Sequence, residues 1–155
     1  MRVLCALWAD PSMYLATIFT SRLLSNRGIE VDIVYRNPNQ KHCVAGDIDF
    51  GDKATLHPIG GGYNGWRDKI DYVIYILKLL WVVWRKRPDA IIGYNKLGLL
   101  ASFLASQVSP KTRLIYHNYD FDIVHLQDFL GRCELVVARK ADLTIFPALG
   151  RSEEY

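Results

Sequence analysis

Short apolar runs alternate with longer segments of helical periodicity along the whole chain. Arg2 to Trp8 (RVLCALW) is a nearly continuous apolar run, the pattern of a parallel strand covered on both faces. Asp10-Pro11 then predicts a helix start, with a carboxylate at the cap and proline at the first helical position. Leu15, Ile18, Phe19 and Leu23 recur at helical spacing on one face, and Gly28 supplies the stop. Ile29 to Tyr35 alternates apolar and polar residues and predicts a second strand. Asn37 to Lys53 is polar and holds Pro38, so it predicts a loop before a third strand, Ala54 to Ile59. After Gly60-Gly61-Gly62, a long helix is expected from Arg67 to Lys86, ended by Pro88. Asp89 to Tyr94 is the fourth strand. Asn95 caps a helix reaching about Gln107, in which Ala101, Ser102 and Ala105 permit close approach to a sheet. Thr112 to Tyr116 is the fifth strand, a polar loop covers Asn118 to Asp122, a helix covers Ile123 to Lys140, and Asp142 to Phe146 is the sixth strand.

Six strands alternating with helices imply an α/β fold, a doubly wound parallel sheet with helices on both faces. A length of 155 residues suits one domain with a single core. Ser152-Glu153-Glu154 carries the signal of a helix start only a residue before Tyr155. The expectation is therefore the front part of a longer protein, or one half of a split pair.

Composition narrows the function classes modestly. Nineteen Lys and Arg against sixteen Asp and Glu give a formal net charge of +3. That balance suits anionic substrates or a membrane surface and falls short of the footprint of a nucleic-acid binder. Cys5, Cys43 and Cys133 are far apart and odd in number, so neither a disulfide framework nor a zinc knuckle is indicated. Met1 to Ala9 lacks the pattern of a signal peptide, and a reducing cytoplasm is the expected location.

Ligands of open parallel sheets bind beyond the carboxyl ends of the strands. Those ends carry Asp10 and Ser12, Asn37, Gly60 to Gly62, Asn95 and Lys96, and His117 to Asp122. Neither G-x-G-x-x-G nor G-x-x-x-x-G-K-[ST] occurs, so the loop after the first strand is not built for a dinucleotide pyrophosphate. The segment His117 to Asp122, with His125 beyond, is the densest polar cluster. It reads as a metal site on one view and as a solvated, helix-capping loop on the other, and the loop is preferred, with no metal. His117 directly follows a strand, so its imidazole can face the cleft for proton transfer or hydrogen bonding.

The segment Ile70 to Trp84 is apolar almost all round, with only Asp71 and Lys78 charged, yet it is shorter than the ~20 residues that span a bilayer. Packing between the sheet and a neighbour is the default reading. The other is peripheral membrane contact, with Trp81 and Trp84 at the headgroups and Arg85, Lys86 and Arg87 on lipid phosphate, at the inner face of the membrane.

Four stretches resemble a known family. These are the opening RVLCALWADPSMYLATIFTSRLLSNRGIEVDIVY, then RPDAIIGYNKLGLLASFLA, RLIYHNYD, and CELVVARKADLTIFP. Together they resemble the Rossmann-like N-terminal domain of GT-B glycosyltransferases, closest to glycosyltransferase family four, over nearly all of residues 1–155. The resemblance implies a cleft between two such domains, the N-terminal one holding the acceptor and the C-terminal one a nucleotide-sugar donor. It matches His117 to a histidine near the donor sugar. Ala9-Asp10-Pro11-Ser12 replaces the family's glycine-rich first loop, which removes the expected phosphate contact there. The paired glutamates that hold the donor belong to the C-terminal domain, which is absent from these residues.

The first functional expectation is thus the acceptor-binding half of a hexosyl- or similar transferase acting on a glycan or lipid-linked acceptor. It would be inactive without a donor-binding domain or subunit and would need no cofactor. His117 would serve the reacting centre, with Asp10, Ser12, Asn95, Lys96 and Asp120 as substrate-binding residues. The second is a non-catalytic subunit of a split transferase that recruits its partner to the membrane. A small-ligand or regulatory α/β domain is the third, though Asp10 alone does not supply the paired acids of a receiver domain.

Overall fold

In the computed structural model, which describes residues 1–37, 48–60, 66–118 and 129–146, six strands form one parallel sheet. In chain order the elements are β1 (Arg2–Leu7), a single 3-10 turn (Pro11–Met13), α1 (Leu15–Asn26), β2 (Glu30–Arg36), β3 (Ala54–Ile59), α2 (Trp66–Lys86), β4 (Ala90–Tyr94), α3 (Asn95–Ser106), β5 (Arg113–His117), α4 (Phe129–Ala138) and β6 (Leu143–Ile145). The strand order is β3-β2-β1-β4-β5-β6, so the winding reverses between β1 and β4. The expected doubly wound architecture is what the chain adopts.

Side-chain alternation along the strands divides the core in two. Val3, Cys5, Leu7, Ile33, Tyr35, Ile92 and Tyr94 fill one face, where Ile18 of α1 joins them. Leu4, Ala6, Val34 and Ile91 point the other way, onto Tyr75, Leu79, Val82 and Val83 of α2 and Ala101 and Ala105 of α3. A third cluster joins Leu99 of α3 and Leu114 and Tyr116 of β5 to Val137 and Ala138 of α4. Inside it, the Tyr116 hydroxyl donates to the buried Glu134 carboxylate, tying α4 to β5.

Close approach of α3 to the sheet depends on two glycines. A Cβ on Gly98 would lie 2.6 Å from the Ala6 carbonyl oxygen, and one on Gly93 would lie 2.8 Å from Leu99 Cα. Both obstacles are backbone, which cannot swing aside. Ala101, Ser102 and Ala105 are fully buried in the same contact, as expected from their size.

Three local expectations are corrected. Asp10-Pro11 starts a single 3-10 turn, in which Asp10 Oδ1 accepts from the Ser12 amide at 2.9 Å, and the chain breaks at Tyr14 before α1. The apolar stripe of α1 is not its buried face: Ile18 is buried, but Leu15, Phe19 and Leu23 are exposed. Thr17, Ser21 and Ser25 go inward instead. The cause is the segment before β3, since the Lys53 amide donates to Ser25 Oγ at 2.8 Å and Gly51 lies against Ser25, a fit that needs a small hydroxyl residue. Asn95 lies within α3 rather than capping it; the capping position is Tyr94, with no side-chain hydrogen bond.

At the amino ends of the strands, Asp32 is buried within β2 and takes hydrogen bonds from His57 at 2.8 Å and from Lys86. Burial alone would raise its carboxyl, but the bonds from His57 and Lys86 outweigh it and hold the group below its ordinary value. Such a group stabilises the fold above the unfolded value of about 3.9, and the contribution is lost as pH falls through the lower folded value. The urea midpoint should therefore drop more steeply below about pH 4 in the wild type than in Asp32→Asn, which at pH 7 should already be weaker by roughly 1.5–3 kcal/mol. Gly98→Ala should cost about 1–3 kcal/mol in the same assay, against less than about 0.5 for exposed Gln107→Ala. Equal midpoints for the two alanine variants would show that α3 is free to move off the sheet.

Candidate functional site

Register levels the carboxyl ends of the central strands. Leu7 of β1 pairs with Tyr94 of β4, Tyr94 with His117 of β5, and His117 with Ile145 of β6. The loop after β1, the turn after β4 and the end of β5 therefore open on one edge, at the reversal between β1 and β4. In open parallel sheets such a reversal, where the chain leaves neighbouring strands in opposite directions, is where ligand crevices form. Asp10 and Ser12 follow β1, Asn95 and Lys96 open α3, and His117 ends β5, so sequence-chosen residues from three separate stretches meet on this edge. Asp120 lies outside the described residues, as do His125 and most of the polar loop.

Asn95 is the most unusual of them. Its φ is +58°, a left-handed conformation that asparagine tolerates better than most residues. Its Oδ1 is buried and accepts no hydrogen bond among the described residues. A buried acceptor without a donor costs about 1–3 kcal/mol, so strain and desolvation coincide at a single residue on the crevice. Beside it, the first turn of α3 presents backbone N–H groups that no side chain caps. The edge thus offers backbone donors, with the Asn95 oxygen closed off from solvent beside them.

His117 is half-buried, with its ring 5.4 Å from the Tyr94 ring, and Tyr94 in turn sits 3.8 Å from Cys5 Sγ through its hydroxyl. Burial pushes the imidazole below its ordinary value. Burial likewise pushes the Cys5 thiol up to about 12, so it is an inert core group rather than a nucleophile. Asp10, by contrast, spends Oδ1 on the Ser12 amide, which fits a structural role for that oxygen.

The sequence reading missed an aromatic and cationic cluster at one flank of this edge. Trp8, just past β1, meets Tyr72 and Tyr75 of α2 with ring centroids 5.0 Å away in each case. The Arg36 guanidinium, at the end of β2, lies 5.1 Å from the Trp8 ring and pairs with Asp68 of α2 at 2.5 Å. Tyr72 Oη donates to the Leu97 carbonyl at 2.9 Å and so links α2 to the first turn of α3. The available signal was positional: Trp8 and Arg36 end strands, where ligands gather. At the opposite edge of the sheet, Arg2, Glu30, Asp32, Lys53 and Lys86 line a charged depression, but Asp32 is engaged by Lys86 and Glu30 by Arg2. Among the described residues, no three His, Cys, Asp or Glu side chains come together as metal ligands.

The apolar residues of α2 occupy two faces. Tyr75, Leu79, Val82 and Val83 are sealed against the sheet and α3. Trp66, Ile70, Val73, Ile74, Leu77, Trp81 and Trp84 are exposed, at a spacing that makes one stripe down the helix. Packing between the sheet and a neighbour thus accounts for only one of the two faces. Trp81, Trp84 and Arg85 lie outward, whereas Lys86 turns inward to Asp32 and is removed from the expected surface group. Among the described residues, no helix is long and apolar enough to cross a membrane.

No protein-family model matches the sequence, and no curated protein matches it. Solved structures do share the fold. A putative UDP-N-acetylglucosamine 2-epimerase from Listeria monocytogenes aligns over 98% of this chain and 40% of its own, at 11% identity and a TM-score of 0.69. The lipopolysaccharide outer core galactosyltransferase WaaB aligns over 99% of this chain and 41% of its own, at 14% identity and a TM-score of 0.65. MurG of Acinetobacter baumannii aligns over 95% of this chain and 43% of its own, at 12% identity and a TM-score of 0.62. The chain therefore spans about two fifths of the length of these proteins, and what it shares with them is the architecture of a Rossmann-like part.

The lowered value of His117 is directly measurable. A folded-state value below the ordinary one of about 6.5 means that stability linked to this group is present above that pH and lost as the imidazole is forced to charge in acid. Proton NMR, assigned with His117→Gln, should show the ring titrating below about 6.5. A midpoint at or above that value would place the ring in water, away from the half-buried edge described here.

Proposed function

We propose that this chain is the acceptor-binding half of a glycosyltransferase of the GT-B type, of the kind grouped in glycosyltransferase family four. In this reading a donor-binding domain or subunit supplies the second wall of the groove and the nucleotide-sugar. The galactosyltransferase and MurG likenesses support the class, because the fold they share with this chain makes up less than half of each. The observation that carries the acceptor role is the first turn of α3, capped by no side chain among the described residues, level with His117 at the end of β5. A sugar hydroxyl both donates and accepts, so it meets the backbone N–H groups and the half-buried His117 imidazole together.

His117 then stands one strand from Asn95, neutral at physiological pH because burial disfavours its charged form. A neutral imidazole can accept the proton of an incoming hydroxyl or hydrogen-bond the sugar at the reacting centre. Asp10, Ser12, Lys96 and Asp120 complete the substrate-binding set in this proposal. The acceptor is a glycan or a lipid-linked sugar.

Titrating the labelled protein with methyl hexopyranosides should shift the amides of Asn95 to Leu97 and the His117 ring, and His117→Ala should weaken that binding about tenfold. Given nucleotide-sugars, the 155 residues alone should give no transfer. Robust turnover by this chain by itself would overturn the half-enzyme reading, and shifts confined to the far edge of the sheet would overturn the assigned site.

A further inference from the structure

The exposed face of α2 has no function in the groove, and its composition is one-sided. The stripe holds three tryptophans, of which Trp66 is 68% and Trp84 65% exposed, with Leu77 at its centre 58% exposed. At 1.5 Å per residue, the 21-residue helix makes this a band about 30 Å long. The exposed charged residues beside it are Arg67, Lys69 and Arg85, all cationic, with the half-buried Lys78 at its border. Lys78 lies across the Trp81 ring, its Nζ 4.5 Å from the centroid. Of the two acids of the helix, Asp68 falls in line with Tyr75 and Leu79 and pairs with Arg36, and the half-buried Asp71 lies two turns before Lys78 at the border of the stripe and abuts Gly60. Where the stripe ends, Trp84, Arg87, Ser109 and Lys111 border a shallow pocket with two cations and no acid.

We infer that α2 is an interfacial helix that docks this protein, lying flat, on an anionic lipid bilayer, with the tryptophans at headgroup depth and the cationic flanks and the Arg87–Lys111 pocket on lipid phosphate. An amphipathic helix with this division of residues seats its apolar face about 5–10 Å into the boundary of headgroups and acyl chains. A second copy of the chain fits the stripe less well, because a twofold pairing would bring together two sets of the exposed cations Arg67, Lys69 and Arg85, and lysine is depleted at interface cores. The orientation has a consequence for the groove. Trp66 and Arg67 begin the helix at the edge where β2 ends, since Arg36 reaches Asp68, so a docked α2 puts the rim of the crevice at the lipid surface. That last step rests on the proposed transferase reading and favours a lipid-linked acceptor; the docking itself does not depend on it.

Sedimentation of the full chain with vesicles of phosphatidylcholine containing about a third phosphatidylglycerol should pull the protein down at low salt, and pure phosphatidylcholine should do so weakly. Added salt should release it, because exposed charges are screened. Leu77→Glu should abolish the association while leaving the circular dichroism spectrum and urea midpoint unchanged, since that side chain points to solvent. Joint replacement of Arg67, Lys78 and Arg85 by Gln should weaken binding to the anionic vesicles on the order of 100-fold, near fivefold per cation. Wild-type protein that stays in the supernatant, or Leu77→Glu that binds equally well, would overturn the proposal. So would a stable dimer by light scattering that Leu77→Glu dissociates, which would assign the stripe to a second copy. None of these readouts involves sugar transfer, so a negative result here leaves the groove reading standing, and the reverse holds as well.

Discussion

The contact on which the arrangement turns is the approach of α3 to β1 and β4. Gly98 lets the first turn of the helix rest on the Ala6 carbonyl, and Gly93 lets β4 lie against the backbone at Leu99. With any Cβ at these points the helix would stand off, and the turn from Tyr94 into Asn95 would have to reach further. The left-handed φ of Asn95 follows from this: the chain leaves β4 and enters α3 with no connecting loop, so one residue absorbs the change of direction. Strain at the crevice is thus a consequence of packing beneath it. The same contact places Leu97, whose carbonyl holds Tyr72 and through it α2.

How much of this was legible in the sequence depends on the range of the interaction concerned. The strands were readable because central parallel strands are covered on both faces, and Val3 to Leu7 and Ala90 to Tyr94 are buried without interruption. Helix α1 was misread in its details because its neighbour is not a generic apolar surface. Ser25 meets a glycine and an amide from the segment before β3, a distant partner that hydrophobic periodicity does not encode. Asn95 was found as a position but given the wrong role, since asparagine at a helix start ordinarily caps through its side chain. Only the close approach of α3 shows that the residue is inside the helix with its oxygen idle. Trp8 and Arg36 were passed over because a lone aromatic and a lone cation carry no signal until the sheet places the ends of β1 and β2 side by side.

Helix α2 shows how a single pattern can conceal two surfaces. A segment that is apolar almost all round suggests full burial, yet only the side lined by Tyr75, Leu79 and Val82 meets the sheet. What separates the two sides is the charges rather than the apolar residues. Asp68 and Lys86 are engaged by Arg36 and by Asp32 respectively, and the exposed charges that remain on the outer side, Arg67, Lys69 and Arg85, are cations. Lys86 is instructive here. It sits in a run of three basic residues, Arg85 to Arg87, that looks uniform in sequence, but helical geometry sends it alone to the buried carboxylate of β2. A basic cluster at a helix end is therefore two different things at once, a clamp on the fold and a surface charge, divided residue by residue.

The groove and the helix face are joined through Tyr72 and Trp8, which bridge α2 to the loop after β1 and to the first turn of α3. Because α2 runs antiparallel to the strands, its first turn lies at their carboxyl edge and its last turn at the charged edge held by Asp32. Pressure on the outer face of the helix is resisted at both ends, by Arg36 with Asp68 at one and by Lys86 with Asp32 at the other. The helix is thus tied to the sheet at both of its ends. In the transferase reading proposed above, an acceptor presented from a surface would meet the first turn of α3 and His117 in one orientation, which is the condition for positioning a hydroxyl with little entropy left to lose.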